Sequence, residues 1–325
     1  MNETAPNAIV HRTVEVNGVR LHLAEAGPAD GPTVLLLHGF PECWYSWRHQ
    51  LAALAADGYH VVAPDQRGYA RSEAPVAVDA YTILHLAGDA VGVLDAVSAE
   101  QAVVVGHDWG APVAWHTALL RPDRVRGVVG LSVPFVGRSR QPPLPALARR
   151  FGGTYYQLYF QIPGVADAEL GADPRATLRR LLSRASGGQV PPDASVPAGG
   201  GFLDLCPEPG SLPGWLTEAD LDVYEREYRG AGFTGGLNWY RNIARNWELT
   251  APWQGAAVTP PALYLAGEDD LVVAGTEPDA IVGALTSAVT DLRGATFLPG
   301  CGHWTQQERP AEINTALLNF MASLK

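Results

Sequence analysis

Cysteine is scarce in this 325-residue chain: Cys43, Cys206 and Cys301 make an odd set of 3 with no CxxC pair. That excludes a disulfide framework or a structural zinc site and suits a reducing compartment. Basic charge is also short. Lys+Arg 23 against Asp+Glu 34 leave −11 and a pI near 5.2, so no basic face is offered to nucleic acid or an anionic membrane. No apolar run approaches the ~18 residues that a membrane helix needs. Met1 to Val16 has no signal core, since Glu3, Asn7, His11 and Arg12 interrupt it. Neither HExxH nor another metal-ligand spacing occurs, so no metal is expected. The expectation is a cytoplasmic protein, and 47% hydrophobic residues are ample for one packed core.

Periodicity supplies the architecture. Ile9–Val16 and Val19–Ala26 alternate as strands around an Asn17-Gly18 turn. Thr33–Leu37 is a continuous apolar run, as in a strand buried on both faces. A helix over Trp44–Ala56, strand Tyr59–Pro64, helix Tyr81–Val97, strand Gln101–Val105, helix Trp109–Leu120 and strand Val125–Val133 follow. Such alternation predicts an α/β fold with a mostly parallel, doubly wound sheet. From Phe135 to about Pro252 the rhythm breaks into aromatic, helix-prone segments, with Ser186–Gly214 a Gly/Pro-rich loop. Strand Pro261–Gly267, a helix, strand Ala295–Leu298 and a helix over Pro310–Leu324 resume it. The expected organisation is a core over 1–134 and 253–325, interrupted by a helical cap over 135–252, with no internal repeats.

Chemistry concentrates at four loops. Val105-Gly106-His107-Asp108-Trp109-Gly110 runs from a buried strand into a helix through the small-x-nucleophile-x-small turn of a strained elbow. Its nucleophile position holds Asp108, a carboxylate already ionised at neutral pH and favoured further by the helix N-terminus. An ordinary helix-capping aspartate is the competing reading. His38-Gly39-Phe40-Pro41 lies beside such an elbow, where the N–H groups of Phe40 and Trp109 can form an oxyanion hole. The His38 side chain is read as stabilising its turn. Gly300-Cys301-Gly302-His303 presents a base on a small-residue loop. Glu268, Asp269 and Asp270 offer an acid to orient it, and Asp108…Asp270…His303 keeps the nucleophile–acid–base order.

With those residues in place, a family resemblance becomes visible. HGFPECWYSWRHQ at 38–50, PDQRGYARS at 64–72, VVGHDWGAPVAW at 104–115 and RPDRV at 121–125 resemble the soluble epoxide hydrolases. So do YQLYFQIPGVADAEL at 156–170, GLNWYRNIARNWEL at 236–249 and GCGHWTQQERP at 300–310. The match spans core and insertion in order, and 325 residues leave no room for the N-terminal phosphatase domain of the mammalian forms. The resemblance implies the α/β-hydrolase fold and a covalent ester on Asp108, hydrolysed by water that His303 activates. It implies two acidic lid phenols, mapped to Tyr156 and Tyr240, that hold the epoxide oxygen; Tyr155 and Tyr159 are neighbouring-register rivals of Tyr156. Motif register favours Asp270 over Asp269. Pro41, Trp239 and Trp304 are implied pocket residues. No cofactor is implied, and the partners are water and a small lipophilic epoxide, with monomer and homodimer both compatible. Gln66, Ala70, Trp239 and the 186–214 segment depart from the pattern and bear on pocket size.

Three rivals are weighed against that reading. A haloalkane or haloacid dehalogenase of the same fold shares Asp108 and His303, and Trp109 suits a halide cradle. Its leaving group needs no proton, however, which leaves the paired tyrosines unexplained. A serine esterase lacks its serine. A non-catalytic small-molecule receptor would not need every reacting group intact. The aromatic lid residues Phe135, Phe151, Phe160, Trp215, Phe233 and Trp239 suggest a lipophilic ligand, or else simply pack the lid.

Overall fold

In the computed structural model, which describes residues 8–186 and 194–324, the Asn17-Gly18 pair turns with φ of 47° and 76°. Two positive φ values are what a tight hairpin requires, and they join β1 (Val10–Val16) to β2 (Val19–Ala26) with Val16 opposite Val19. The remaining strands are β3 (Thr33–Leu37), β4 (His60–Pro64), β5 (Ala102–His107), β6 (Val125–Leu131), β7 (Ala262–Gly267) and β8 (Leu292–Leu298). They form one sheet in the order β1-β2-β4-β3-β5-β6-β7-β8. Pairing is antiparallel through β1, β2 and β4, and parallel from β4 to β8.

The central strands read as unbroken apolar runs because both faces are covered. Val34, Leu35, Leu36, Val104, Val105, Val128 and Val129 are all fully buried. Core helices are α1 (Arg48–Ala56), preceded by a 3-10 turn over Trp44–Trp47, then α2 (Ile83–Ala96) and α3 (Gly110–Leu120). Between β6 and β7 lie α4 (Pro143–Phe151), α5 (Tyr156–Tyr159), α6 (Val165–Gly171), α7 (Pro174–Arg184), α8 (Glu218–Ala231), α9 (Thr234–Arg241) and α10 (Ile243–Leu249). Apart from isolated bridges of Tyr155 with Ser195 and of Val258 with Val289, that stretch holds no strand among the described residues. The chain closes with α11 (Pro278–Ala288), α12 (Thr305–Glu308) and α13 (Pro310–Ala322). No helix among the described residues is long and apolar enough to cross a membrane.

Several boundaries move from the sequence reading, each for a local reason. β5 runs on through Gly106 and His107, which pair with Gly130 and Leu131 of β6. β6 stops at Leu131 because Ser132 has φ of 71°, outside the strand region. β8 begins at Leu292, three residues early, since its half-buried face tolerates Arg293 and Gly294. The Ser186–Gly214 segment carries a 3-10 turn at Phe202–Leu205, and its residues 187–193 lie outside the described ones.

Tyrosine hydroxyls seat the helical insertion on the core. Tyr228 donates to Glu42 O at 2.9 Å, Tyr224 to Gln307 Oε1 at 2.9 Å, and Tyr45 of the core to Asp220 Oδ1 at 2.9 Å. Trp239 of α9 adds its indole N–H to Arg67 O at 3.1 Å. The carboxyl ends of β3, β5, β6, β7 and β8 point under this insertion, the place where open α/β sheets bind their ligands.

Candidate active site

Between β5 and α3 the backbone makes a turn that only small residues permit. A Cβ on Gly106 would lie 2.0 Å from Gly110 O, and one on Gly110 would lie 2.0 Å from Leu37 O. Asp108 sits between them with φ of 49°, a left-handed conformation that lifts its side chain off the strand end. The β3 loop closes on that carboxylate: Phe40 N–H donates to Asp108 Oδ1 at 2.8 Å, and a Cβ on Gly39 would fall 2.3 Å from the same oxygen. Asp108 Oδ1 is therefore held, while Oδ2 faces His303 Nε2 at 3.4 Å.

His303, after β8, and Asp270, after β7, form a buried pair with Nδ1 2.9 Å from Oδ1. Val272 N–H donates to the same carboxylate oxygen at 2.9 Å. Glu268 and Asp269, the other two acids of that loop, are exposed. Burial alone would lower the His303 pKa, but Asp270 and then Asp108 outweigh it and hold it well above its ordinary value. Burial likewise pushes the Asp270 carboxyl up, and His303 more than reverses it. With Nδ1–H committed to a carboxylate, Nε2 is the nitrogen left to face Asp108.

Behind this pair stands a second buried carboxylate–imidazole pair that the sequence reading did not single out. His107 Nδ1 lies 2.7 Å from Glu42 Oε2, and His107 Nε2 lies 2.7 Å from His303 O. Glu42 also accepts from Gly39 N–H at 3.0 Å and from the side-chain amides of Gln306 and Gln307 at 2.8 and 3.2 Å. Burial would raise the Glu42 carboxyl, yet His107 and Gly39 N–H bring it down to about 2. One carboxylate thus ties together the Phe40 loop, the elbow strand and the His303 loop. The available signal was an ionisable residue at each of two apolar positions, Glu42 in HGFPECW and His107 beside Asp108. His38 serves its turn: Nε2 accepts Gln66 N–H at 3.0 Å, which leaves Nδ1 to donate to Gly39 O at 2.9 Å.

Across from Asp108 the insertion contributes a wall of rings. Tyr240 of α9 is T-shaped on Trp109 at 5.1 Å, Phe40 at 5.7 Å and Phe160 at 5.0 Å. Tyr156, opening α5, lies 6.2 Å from Tyr240 by ring centroid. Burial first, with Asp108 contributing to each, pushes both phenols well above the ordinary tyrosine pKa, so both carry their protons. Of the two rival tyrosines, Tyr159 donates to Glu169 Oε2 at 2.8 Å, while Tyr155 stacks on Phe151 at 4.6 Å and meets Tyr156 edge-on at 4.8 Å.

Pro41 follows Phe40 through a cis peptide bond. Trp239 and Trp304 spend their indole N–H groups on backbone carbonyls, Arg67 O and Leu182 O, so neither aims a polar edge at Asp108. Trp304 backs the His303 ring at 4.7 Å. Ala70 has φ of 47°, a left-handed conformation that favours glycine. Among the described residues no group of three or more His, Cys, Asp or Glu is arranged to hold a metal ion.

Comparison with known proteins gives a consistent set of relatives. Residues 32–310 match the family model described as alpha/beta hydrolase fold. The chain is 49% identical over 326 residues to epoxide hydrolase A of Mycobacterium tuberculosis, covering 98% of this chain and 99% of that one. The crystal structure of epoxide hydrolase A from Mycobacterium thermoresistibile superposes with a TM-score of 0.90 at 51% identity, covering 98% and 99%. An epoxide hydrolase from an endophytic Streptomyces does so with a TM-score of 0.92 at 46% identity, covering 97% and 96%.

Proposed function

The chain belongs to the epoxide hydrolases of the α/β-hydrolase fold, and from that membership we propose which of its residues convert an epoxide and water into a vicinal diol. Asp108 Oδ2 attacks one oxirane carbon as the carbon–oxygen bond breaks. Tyr156 and Tyr240 hydrogen-bond the departing oxygen, and one of them protonates it. The product is a hydroxyalkyl ester, with Oδ1 as its carbonyl oxygen in the Phe40 N–H.

In the second half-reaction His303, oriented by Asp270, takes a proton from water, and the hydroxide adds to the ester carbonyl. Phe40 and Trp109 N–H groups stabilise the oxyanion. Collapse breaks the bond between Cγ and Oδ2, and His303 returns its proton to the leaving alkoxide. The carboxyl left on Asp108 gives its proton back to the phenolate. Atoms and charge balance, and no cofactor takes part.

The observation that carries this reading is the two-sided placement of one carboxylate, with Oδ1 on a backbone N–H at 2.8 Å and Oδ2 against an imidazole at 3.4 Å. Membership accounts for the chemistry, and this division accounts for which oxygen does what. We assign the 135–252 insertion the role of a lid that brings the phenols over Asp108. Its rings favour a small lipophilic epoxide, with water as the second substrate.

The test is a single turnover of His303→Gln with styrene oxide, followed by intact-protein mass. An adduct of one epoxide mass, mapped to Asp108 and absent from Asp108→Ala, is expected. No adduct, together with no diol from the wild type across aryl and alkyl epoxides, overturns the assignment.

A further inference from the structure

Ser132 ends β6 in a conformation suited to glycine, with φ of 71°. The backbone there is pinned on both sides. Its N–H donates to Leu265 O at 2.8 Å, and its carbonyl accepts the Tyr264 hydroxyl at 2.7 Å. The side chain is fully buried, and Oγ lies 2.9 Å from His303 Nδ1, the nitrogen that also lies 2.9 Å from Asp270 Oδ1. Glycine suits this backbone better and alanine suits a dry core better. What serine alone adds is an oxygen at the rear of the imidazole.

We propose that Ser132 is a positioning residue for His303, its hydroxyl oxygen sharing the Nδ1–H with Asp270 so that the ring is fixed in tautomer and tilt. The inference rests on His303 acting as the base of the second half-reaction. Ser132 also acts on Asp270, whose carboxyl is pushed up by burial and brought down by His303 and, after it, by Ser132. An extra acceptor on Nδ1–H gains strength as the ring becomes imidazolium, so it favours the ester-hydrolysis transition state. Ring opening by Asp108 takes no proton to or from the imidazole and is left alone.

Ser132→Ala and Ser132→Gly, followed by rapid quench with styrene oxide, separate these steps. Ester formation is expected to stay within about twofold of wild type, while ester hydrolysis slows about five- to tenfold in both variants. The ester then accumulates in intact-protein mass during turnover. The acid limb of kcat moves to lower pH, because the imidazolium has lost an acceptor. The titratable groups facing His303 are Asp108 and Asp270 from the strand ends, His107 from β5 with its ring 4.8 Å away, and Glu308 from α12. All four remain in both variants. Glycine also relieves the backbone, so a glycine variant that hydrolyses its ester slowly separates hydroxyl from strain, and it supplies the comparison even where alanine does not fold. Unchanged hydrolysis in both variants, equal slowing of both half-reactions, or a wild-type rate with glycine overturns the proposal. Failure of the wild type to form any ester overturns the reading beneath it instead.

Discussion

His303 Nε2 lies 3.4 Å from Asp108 Oδ2, so the charge on Asp108 adds to that of Asp270 in setting the basicity of the imidazole. Asp108 is among the groups that hold the His303 pKa up. Esterification cancels that charge, and the imidazole becomes readier to exist as a free base just as the base is required. Asp108→Asn, which is neutral like the ester, is therefore expected to lower the His303 pKa. NMR titration of the imidazole nitrogens measures it, and a rise on substitution would rule the coupling out.

Glu42→Gln is expected to weaken the fold at neutral pH and to flatten its acid sensitivity. The folded pKa of about 2 lies below the ordinary 4.5, so this stabilisation is complete above pH 4.5 and is lost as pH falls towards 2. Breaking a buried charge pair from one side costs about 3 kcal/mol. Thermal unfolding between pH 7 and pH 3 checks both: the variant starts lower and loses less.

For the lid phenols, single substitutions Tyr156→Phe and Tyr240→Phe are expected to slow ester formation about 10- to 100-fold each. The double variant should form no ester on the timescale of the assay. Because both phenols sit above the ordinary tyrosine range, wild-type ester formation should not fall from phenol ionisation up to about pH 10. A basic limb well below that pH would contradict the burial of these groups.

Ala70→Gly is expected to stabilise. At φ of 47° the methyl group works against the backbone, and removing it recovers about 0.5–1 kcal/mol net of the entropy that glycine adds to the unfolded chain. Differential scanning calorimetry reads the shift in Tm.

What the sequence made legible was local. The elbow could be read because its constraint is steric and lies within five residues, with Gly106 and Gly110 admitting no Cβ. The sheet could be read because β3 and β5 are buried on both faces and advertise it as continuous apolar runs. Glu42 and Ser132 were not legible, since each matters through a partner far along the chain, His107 65 residues away and His303 171 residues away. Nothing in HGFPECW says which polar side chain waits at the end of β5. The tyrosine register had the same difficulty: motif register alone favoured Tyr156 over Tyr155 and Tyr159, and the rings of Phe151 and Tyr240 and the Glu169 carboxylate around them lie far along the chain or in other elements.

In the proposed mechanism the two halves of the first chemical step are carried on separate parts of the chain: the carboxylate in the turn after β5, the proton donors on α5 and α9. This arrangement acts as an interlock. An epoxide that reaches Asp108 without the insertion seated over it meets a carboxylate with no acid at its departing oxygen, and its ring stays closed. Only a molecule whose reactive carbon and basic oxygen span the gap engages both parts together. Selectivity among electrophiles whose leaving group must be protonated therefore needs no filter at the entrance, because the requirement for coincidence supplies it.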